Sequence, residues 1–156
     1  MSFQISSSAF DEGQPIPTRY TADNRNVSPP LLWTDPPAGT LSLALVCEDP
    51  DAPRGTWTHW VLFNLPPTTR SLAKGLPPTS PTQDGAEQGV NDFGKVGYGG
   101  PSPPPGKPHR YFFKLFALDQ MLDLPPGASR AQLLSAMKGH VLGEAEIMGT
   151  YQREKA

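Results

Sequence analysis

Two carboxylates and two prolines follow directly on an apolar run in this chain: Leu41-Ser-Leu-Ala-Leu-Val-Cys47, then Asp49-Pro50-Asp51-Ala52-Pro53. His59 lies inside the next apolar run, and a basic pair, His109-Arg110, opens a third. Carboxylates beside imidazoles can do acid–base work, can fix a histidine tautomer, or can ligate a metal. Placed where strands end, they build a polar pocket on a rigid frame. Each also has a purely structural explanation. Asp49 can cap the turn that its Asp-Pro sequence favours, and His59 and His109 can be satisfied core histidines.

The spacing excludes several chemistries. Glu48, Asp49, Asp51, His59 and His109 are suitable metal-ligand types, but they lack H-E-x-x-H or paired C-x-x-C spacing. No G-x-S-x-G occurs, and Ser102 lies between prolines, away from any strand-to-helix elbow. Asp92-Phe93-Gly94 resembles a kinase motif without the H-R-D loop or glycine-rich loop a kinase needs, so it reads as a turn. The residues therefore argue against an enzyme and call for no cofactor.

The elements that must position these groups are short strands. Phe3–Ser6, Leu31–Thr34, Leu41–Cys47, Trp57–Leu65, Tyr111–Leu118 and Val141–Tyr151 are the strand candidates. Leu41, Leu43 and Leu45 alternate with smaller residues, the period of a strand. Trp57–Leu65 and Tyr111–Leu118 are apolar on both faces, as central strands are. Parity then puts Asp49 on the face of Leu41, Leu43, Leu45 and Cys47. It groups Trp57, His59, Val61 and Phe63 on a second strand, and His109, Tyr111, Phe113 and Leu115 on a third. If these faces adjoin, Asp49, His59, His109 and Tyr111 converge at one sheet end, with Trp57 and Tyr111 as walls.

One helix is expected, N-capped by Ser129 with Gln132 completing a capping box and Gly139 ending it. Thr69–Lys74 suggests a second short helical turn. The segment Leu76–Pro108 reads as a long ordered loop. Within it, Gly97-Tyr-Gly-Gly-Pro-Ser-Pro-Pro-Pro-Gly106 could offer backbone N–H groups as an anion nest. Pro50, Pro53 and Pro103 are places where a cis bond could hold the pocket wall.

Composition sets the class. The chain has 156 residues, 37% of them hydrophobic, with 20 Pro and 15 Gly that punctuate apolar runs rather than repeat. That favours one mostly β domain spanning 1–156, with strands joined by rigid loops. A net charge of −2 without a basic stripe argues against nucleic acid and against attachment to an anionic membrane. The single cysteine, Cys47, reads as an inert buried thiol. The first residues lack a basic and an apolar region of the secretory kind, so the expected compartment is the cytoplasm.

In order and spacing, several segments resemble the phosphatidylethanolamine-binding protein family, specifically its small bacterial branch of Raf-kinase-inhibitor-like proteins. They are Asn26-Val-Ser-Pro-Pro-Leu-Leu-Trp33, Asp49-Pro-Asp-Ala-Pro53, Trp57-Thr-His-Trp-Val-Leu-Phe-Asn64, Asn91-Asp-Phe-Gly94, Tyr98-Gly-Gly-Pro101, Pro108-His-Arg-Tyr-Phe-Phe113, Gly139-His-Val-Leu142 and Gly149-Thr-Tyr151. The resemblance implies an antiparallel β-sandwich with a large central sheet, a smaller sheet and one or two short peripheral helices. It implies a pocket for phosphate-bearing groups lined by Asp49, Asp51, His59, Pro103, His109 and Tyr111, with backbone donors around Ser102. It also implies a homodimer and, as a protein target, a kinase or protease. The alternatives are a protease inhibitor acting through the Leu76–Val90 loop and a metal-assisted phosphate-ester hydrolase. Three departures stand out. The motif before His109 reads Gly106-Lys-Pro-His-Arg, Ser102 stands where bacterial relatives often carry cysteine, and the chain runs only five residues past Tyr151. The C-terminal helix that borders the pocket in animal members is therefore not expected, and the pocket should be more open.

Overall fold

The computed structural model describes residues 3–153. Its strands are β1 (Ile5–Ser6), β2 (Leu31–Trp33), β3 (Ser42–Asp49), β4 (Trp57–Leu65), β5 (Ser71–Leu72), β6 (Glu87–Gln88), β7 (His109–Leu118) and β8 (Val141–Tyr151). One α-helix, α1 (Arg130–Met137), lies between β7 and β8, and Thr18–Tyr20 forms a 3₁₀ turn. The strands make two antiparallel sheets, a five-stranded one ordered β6-β4-β3-β7-β8 and a three-stranded one ordered β1-β2-β5.

β3 is buried along its whole length and takes the centre of the large sheet. Its alternation is leucine against small residue, not apolar against polar, because both faces are covered. Leu43, Leu45 and Cys47 join the layer shared with the small sheet, where Trp60, Leu62, Tyr111, Phe113 and Trp33 also pack. Ala44 and Val46 face the opposite layer with Val61, Phe63, Phe116 and Leu118, which α1 closes with Leu133 and Met137. Cys47 is buried, and its thiol pKa is raised well above the usual value, chiefly by desolvation.

The helix forms as its caps dictate. Ser129 Oγ accepts from the Gln132 N–H at 3.1 Å, and Gln132 Oε1 accepts from the Ser129 N–H at 2.8 Å. That reciprocal pair satisfies two donors which the first helical turn leaves free. The second helical turn expected over Thr69–Lys74 is instead β5, which pairs with β2 through Leu31 and Leu72. Its strand state comes from a partner distant in sequence, which no local pattern signals. Within the expected long loop, Glu87–Gln88 forms β6 against Leu62 and Phe63. The Gln88 side chain explains the choice: it accepts from Trp60 Nε1 at 2.8 Å and donates to the Pro77 and Thr79 carbonyls.

Two irregularities shape the edge of the sheet. Between Leu43/Leu65 and Leu45/Leu62 the register slips by an extra residue in β4, near Asn64, which adopts a φ of 57°. Its amide repays that left-handed backbone by bonding both ways to Leu122, donating to the carbonyl at 2.9 Å and accepting from the N–H at 2.8 Å. The second slip lies between Cys47/Trp60 and Glu48/Thr58, and it leaves His59 as the unpaired residue. No helix among the described residues is long and apolar enough to cross a membrane.

Candidate functional site

The His59 bulge decides which side chains meet. Without it, β4 parity would turn His59 toward the α1 layer with Val61 and Phe63. The extra residue shifts parity, so Trp57 comes opposite Asp49 and lines the same cavity as His59. The expectation that Val61 and Phe63 share the face of His59 is thus corrected: both pack against the helix layer. The convergence of Asp49, His59, His109 and Tyr111 on one cavity stands.

That cavity measures about 190 Å³ at the end of β3, β4 and β7. It is smaller than the roughly 300–1,000 Å³ of sites for drug-sized ligands. Its polar wall is a chain of fixed contacts. Asp49 Oδ2 accepts from His109 Nδ1 at 2.6 Å, while Oδ1 accepts from the Asp51 N–H at 2.7 Å. The aspartate therefore both closes its own turn and orients an imidazole. His59 Nδ1 donates to the Gly99 carbonyl at 2.6 Å. The His59 pKa is lowered from its usual 6.5, first by burial; the Gly99 carbonyl and the Asp49 charge oppose this without reversing it.

Two donors in this wall have no partner among the described residues, the Trp57 indole N–H and the Tyr111 hydroxyl. Both side chains line the cavity. The Tyr111 phenol pKa is raised, first by burial and then by the Asp49 charge; Asp49 is also the carboxylate near enough for the hydroxyl to turn toward. Buried donors are nearly always bonded, so these two atoms are exceptions among the described residues.

The remaining wall is apolar and rigid. Ala52, Pro53, Pro103 and Pro104 contribute to it, as does Phe93. Asn91–Gly94, one of the segments of the family resemblance, is expected from its residues to be a turn. It is one: Asn91 Oδ1 accepts from the Phe93 and Lys95 N–H groups, and Asp92 Oδ2 accepts from the Thr58 N–H at 2.7 Å. The turn also sets the Phe93 ring edge-on to Trp57 and His59, with centroids 5.4 and 5.5 Å away. Turn chemistry was visible in the sequence; the ring's destination was not.

The glycine-rich loop does not form the expected anion nest. The N–H groups of Gly97, Gly99 and Gly100 are spent on the Gly89 carbonyl, the His59 carbonyl and Asn26 Oδ1. The glycines serve close packing instead. A Cβ on Gly99 would lie 2.6 Å from the Phe93 ring, and one on Gly100 would lie 2.3 Å from the Tyr20 carbonyl. The loop is thus pressed against the site and holds His59 twice through Gly99, whose N–H donates to the His59 carbonyl and whose carbonyl accepts from His59 Nδ1.

The other expected site residues are distributed differently. Ser102 lines the cavity but is exposed, its Oγ 3.3 Å from an Arg153 guanidinium nitrogen that also pairs with Asp23. Arg153 thus brings a cation to the rim that sequence reasoning did not single out. Asp51 is not among the cavity residues: it accepts from the Arg110 backbone N–H and, through both carboxylate oxygens, from the Arg110 guanidinium. That pair holds the Asp51 carboxyl below its usual pKa, chiefly through the guanidinium hydrogen bonds. The cis peptide bond among the described residues is Ser80–Pro81, not one at Pro50, Pro53 or Pro103. No group of three or more His, Cys, Asp or Glu side chains among them is placed to hold a metal ion.

The molecule is thus a two-sheet β-sandwich with an Asp–His pair, a second histidine and two aromatic side chains around one small cavity. The chain belongs to the phosphatidylethanolamine-binding protein family, whose model matches residues 6–152. A UPF0098 protein of Methanothermobacter thermautotrophicus is 53% identical over 149 residues, covering 96% of this chain and 98% of that protein. E. coli YbcL, described as a new member of the mammalian family, superposes with a TM-score of 0.92 at 34% identity, covering 99% of this chain and 100% of that one. The crystal structure of CT736 from Chlamydia trachomatis gives 0.89 at 42% identity, covering 98% and 99%.

Proposed function

We propose that this protein is a non-enzymatic binder of a small oxyanion, a phosphate-bearing group that sits in the Asp49–His59–His109 cavity. The observation that carries this reading is a pair of buried donors without partners among the described residues, Trp57 N–H and Tyr111 O–H, on side chains that both line that one space. An oxyanion accepts from both at once. His109 Nδ1 is held by Asp49, so a guest would meet Nε2, which donates only when the ring carries both protons. The volume suits a headgroup or a phosphoryl group and excludes acyl chains, so any lipid would be held by its headgroup alone.

The test is thermal unfolding with and without millimolar inorganic phosphate. The expected outcome is a rise in Tm with phosphate that Tyr111→Phe reduces and His109→Ala abolishes. A Tm unmoved by inorganic phosphate and by phosphoethanolamine alike refutes the reading.

A further inference from the structure

We propose that the open edge of β8, from Leu142 to Glu146, docks an extended segment of a partner protein that carries Lys or Arg at alternate positions and joins the large sheet as a further strand. The site is separate from the cavity. The cavity residue His109 pairs with Tyr151 at the end of β8, whereas the open stretch lies near its beginning.

β8 is the outermost strand of the large sheet, next to β7. Its outer side is closed along the second half. There the Gly13 and Ile16 N–H groups donate to the Met148 and Thr150 carbonyls at 2.7 Å, and the Thr150 N–H donates to the Gln14 carbonyl at 3.0 Å. The Met148 N–H donates to Glu12 Oε1 at 3.2 Å. Alternate residues of an antiparallel strand turn their N–H and C=O to one side, so Glu144 and Glu146 aim theirs outward as Met148 and Thr150 do. No hydrogen bond to these four backbone groups forms among the described residues. A row of unpaired groups on an exposed strand is a template for another strand.

The side chains select which strand. Glu144 and Glu146 are exposed and lie opposite Phe116 and Lys114 of β7, on the α1 side of the sheet. Neither makes an ion pair among the described residues, and Lys114 Nζ is turned to Glu48 at 3.7 Å. A second copy of this chain pairing β8 with β8 would set glutamate against glutamate, which destabilises a ladder. A strand with cations two positions apart meets attraction at both. Two surface grooves follow the same three residues, Glu144–Glu146. One, of about 300 Å³, is bordered by Lys114 and Phe116; the other, of about 460 Å³, by Phe3, Ile5, Leu32 and Trp33. An added strand sends alternate side chains to opposite faces of the sheet. Its cations then lie beside the glutamates, and its intervening residues meet the apolar groove, where Leu32 is exposed.

Fluorescence anisotropy of the labelled peptide Lys-Val-Lys-Val-Lys at low salt tests this, since five residues span the open stretch at about 17 Å. The expected result is binding at least about tenfold tighter than that of Glu-Val-Glu-Val-Glu, with the order reversed in Glu144→Lys/Glu146→Lys. Methylating either the lysine or the valine backbone nitrogens should abolish binding for one set and spare it for the other, because only alternate N–H groups meet the edge. No binding of the basic peptide overturns the proposal. So does equal binding of the acidic one, undiminished binding by the charge-reversed variant, or undiminished binding of both methylated peptides. A peptide that binds only by dissociating a dimer in sedimentation assigns the edge to a second copy and likewise overturns it. Should the double variant not fold, wild type with the methylated peptides decides.

Discussion

Residue identity at this site acts through hydrogen-bond direction more than through charge. His59 is held by a carbonyl and desolvated, whereas His109 is held by a carboxylate. The same side chain is thereby given two environments, and a pH dependence follows for the first. The folded pKa of His59 lies below its unfolded value of about 6.5. Between those values the unfolded chain binds more protons than the folded one. The contribution of His59 to stability is therefore full above about pH 6.5 and lost as pH falls toward the folded pKa. Urea unfolding from pH 8 to pH 5 should show His59→Phe with a flatter pH profile than wild type; parallel profiles refute the assignment. Asp49 and Asp51 illustrate the limit of reading residues by type. They are two positions apart, yet one is buried on His109 and the other grips the Arg110 guanidinium.

Elements place these residues through features that sequence patterns carry only in part. The strand runs that hold the site were legible, since apolar periodicity records which faces are buried: β4 and β8 have the expected bounds, β7 starts two residues earlier at His109, and β3 leaves out the exposed Leu41 and runs on to Asp49. The capping box of α1 was equally legible because its partners are neighbours in sequence. The His59 bulge was not, because it exists only relative to the register of β3. The glycine loop was legible as close-packed and misread as a nest, since its N–H partners come from Gly89, His59 and Asn26. Gly100→Ala tests the packing role. Its Cβ would meet backbone, the Tyr20 carbonyl at 2.3 Å, rather than a side chain free to move. The expected loss is about 1–3 kcal/mol in urea unfolding, with weakened phosphate binding because the loop carries the Gly99 carbonyl. Wild-type stability in Gly100→Ala would remove the argument.

At the scale of the whole molecule, the large sheet separates a layer that reaches the cavity from one that only supports it. Phe63 is fully buried in the second layer, under α1. Tyr111 is fully buried in the first and ends in the open hydroxyl. Their truncations should therefore separate. Phe63→Ala should cost about 3–5 kcal/mol of stability yet leave phosphate affinity unchanged below its melting range. Tyr111→Phe should change stability by less than about 1 kcal/mol, since the hydroxyl makes no hydrogen bond among the described residues, yet weaken phosphate binding several-fold. Loss of phosphate affinity in a folded Phe63→Ala would show that the two layers are coupled.

The sequence by itself determined the β class, the strand runs, the capped helix and the set of acids and imidazoles at strand ends. These depend on periodicity and on contacts between near neighbours, which the order of residues encodes directly. Tertiary structure alone decided that His59 sits on a bulge and that Phe93 lines the cavity. It also decided that Asp51 turns to Arg110 and that Ser71–Leu72 is a strand. Each of those outcomes depends on a partner supplied from a distant part of the chain. A donor's fate is settled by which acceptor packing brings within reach, and here packing left the Trp57 N–H and Tyr111 O–H without a hydrogen bond among the described residues.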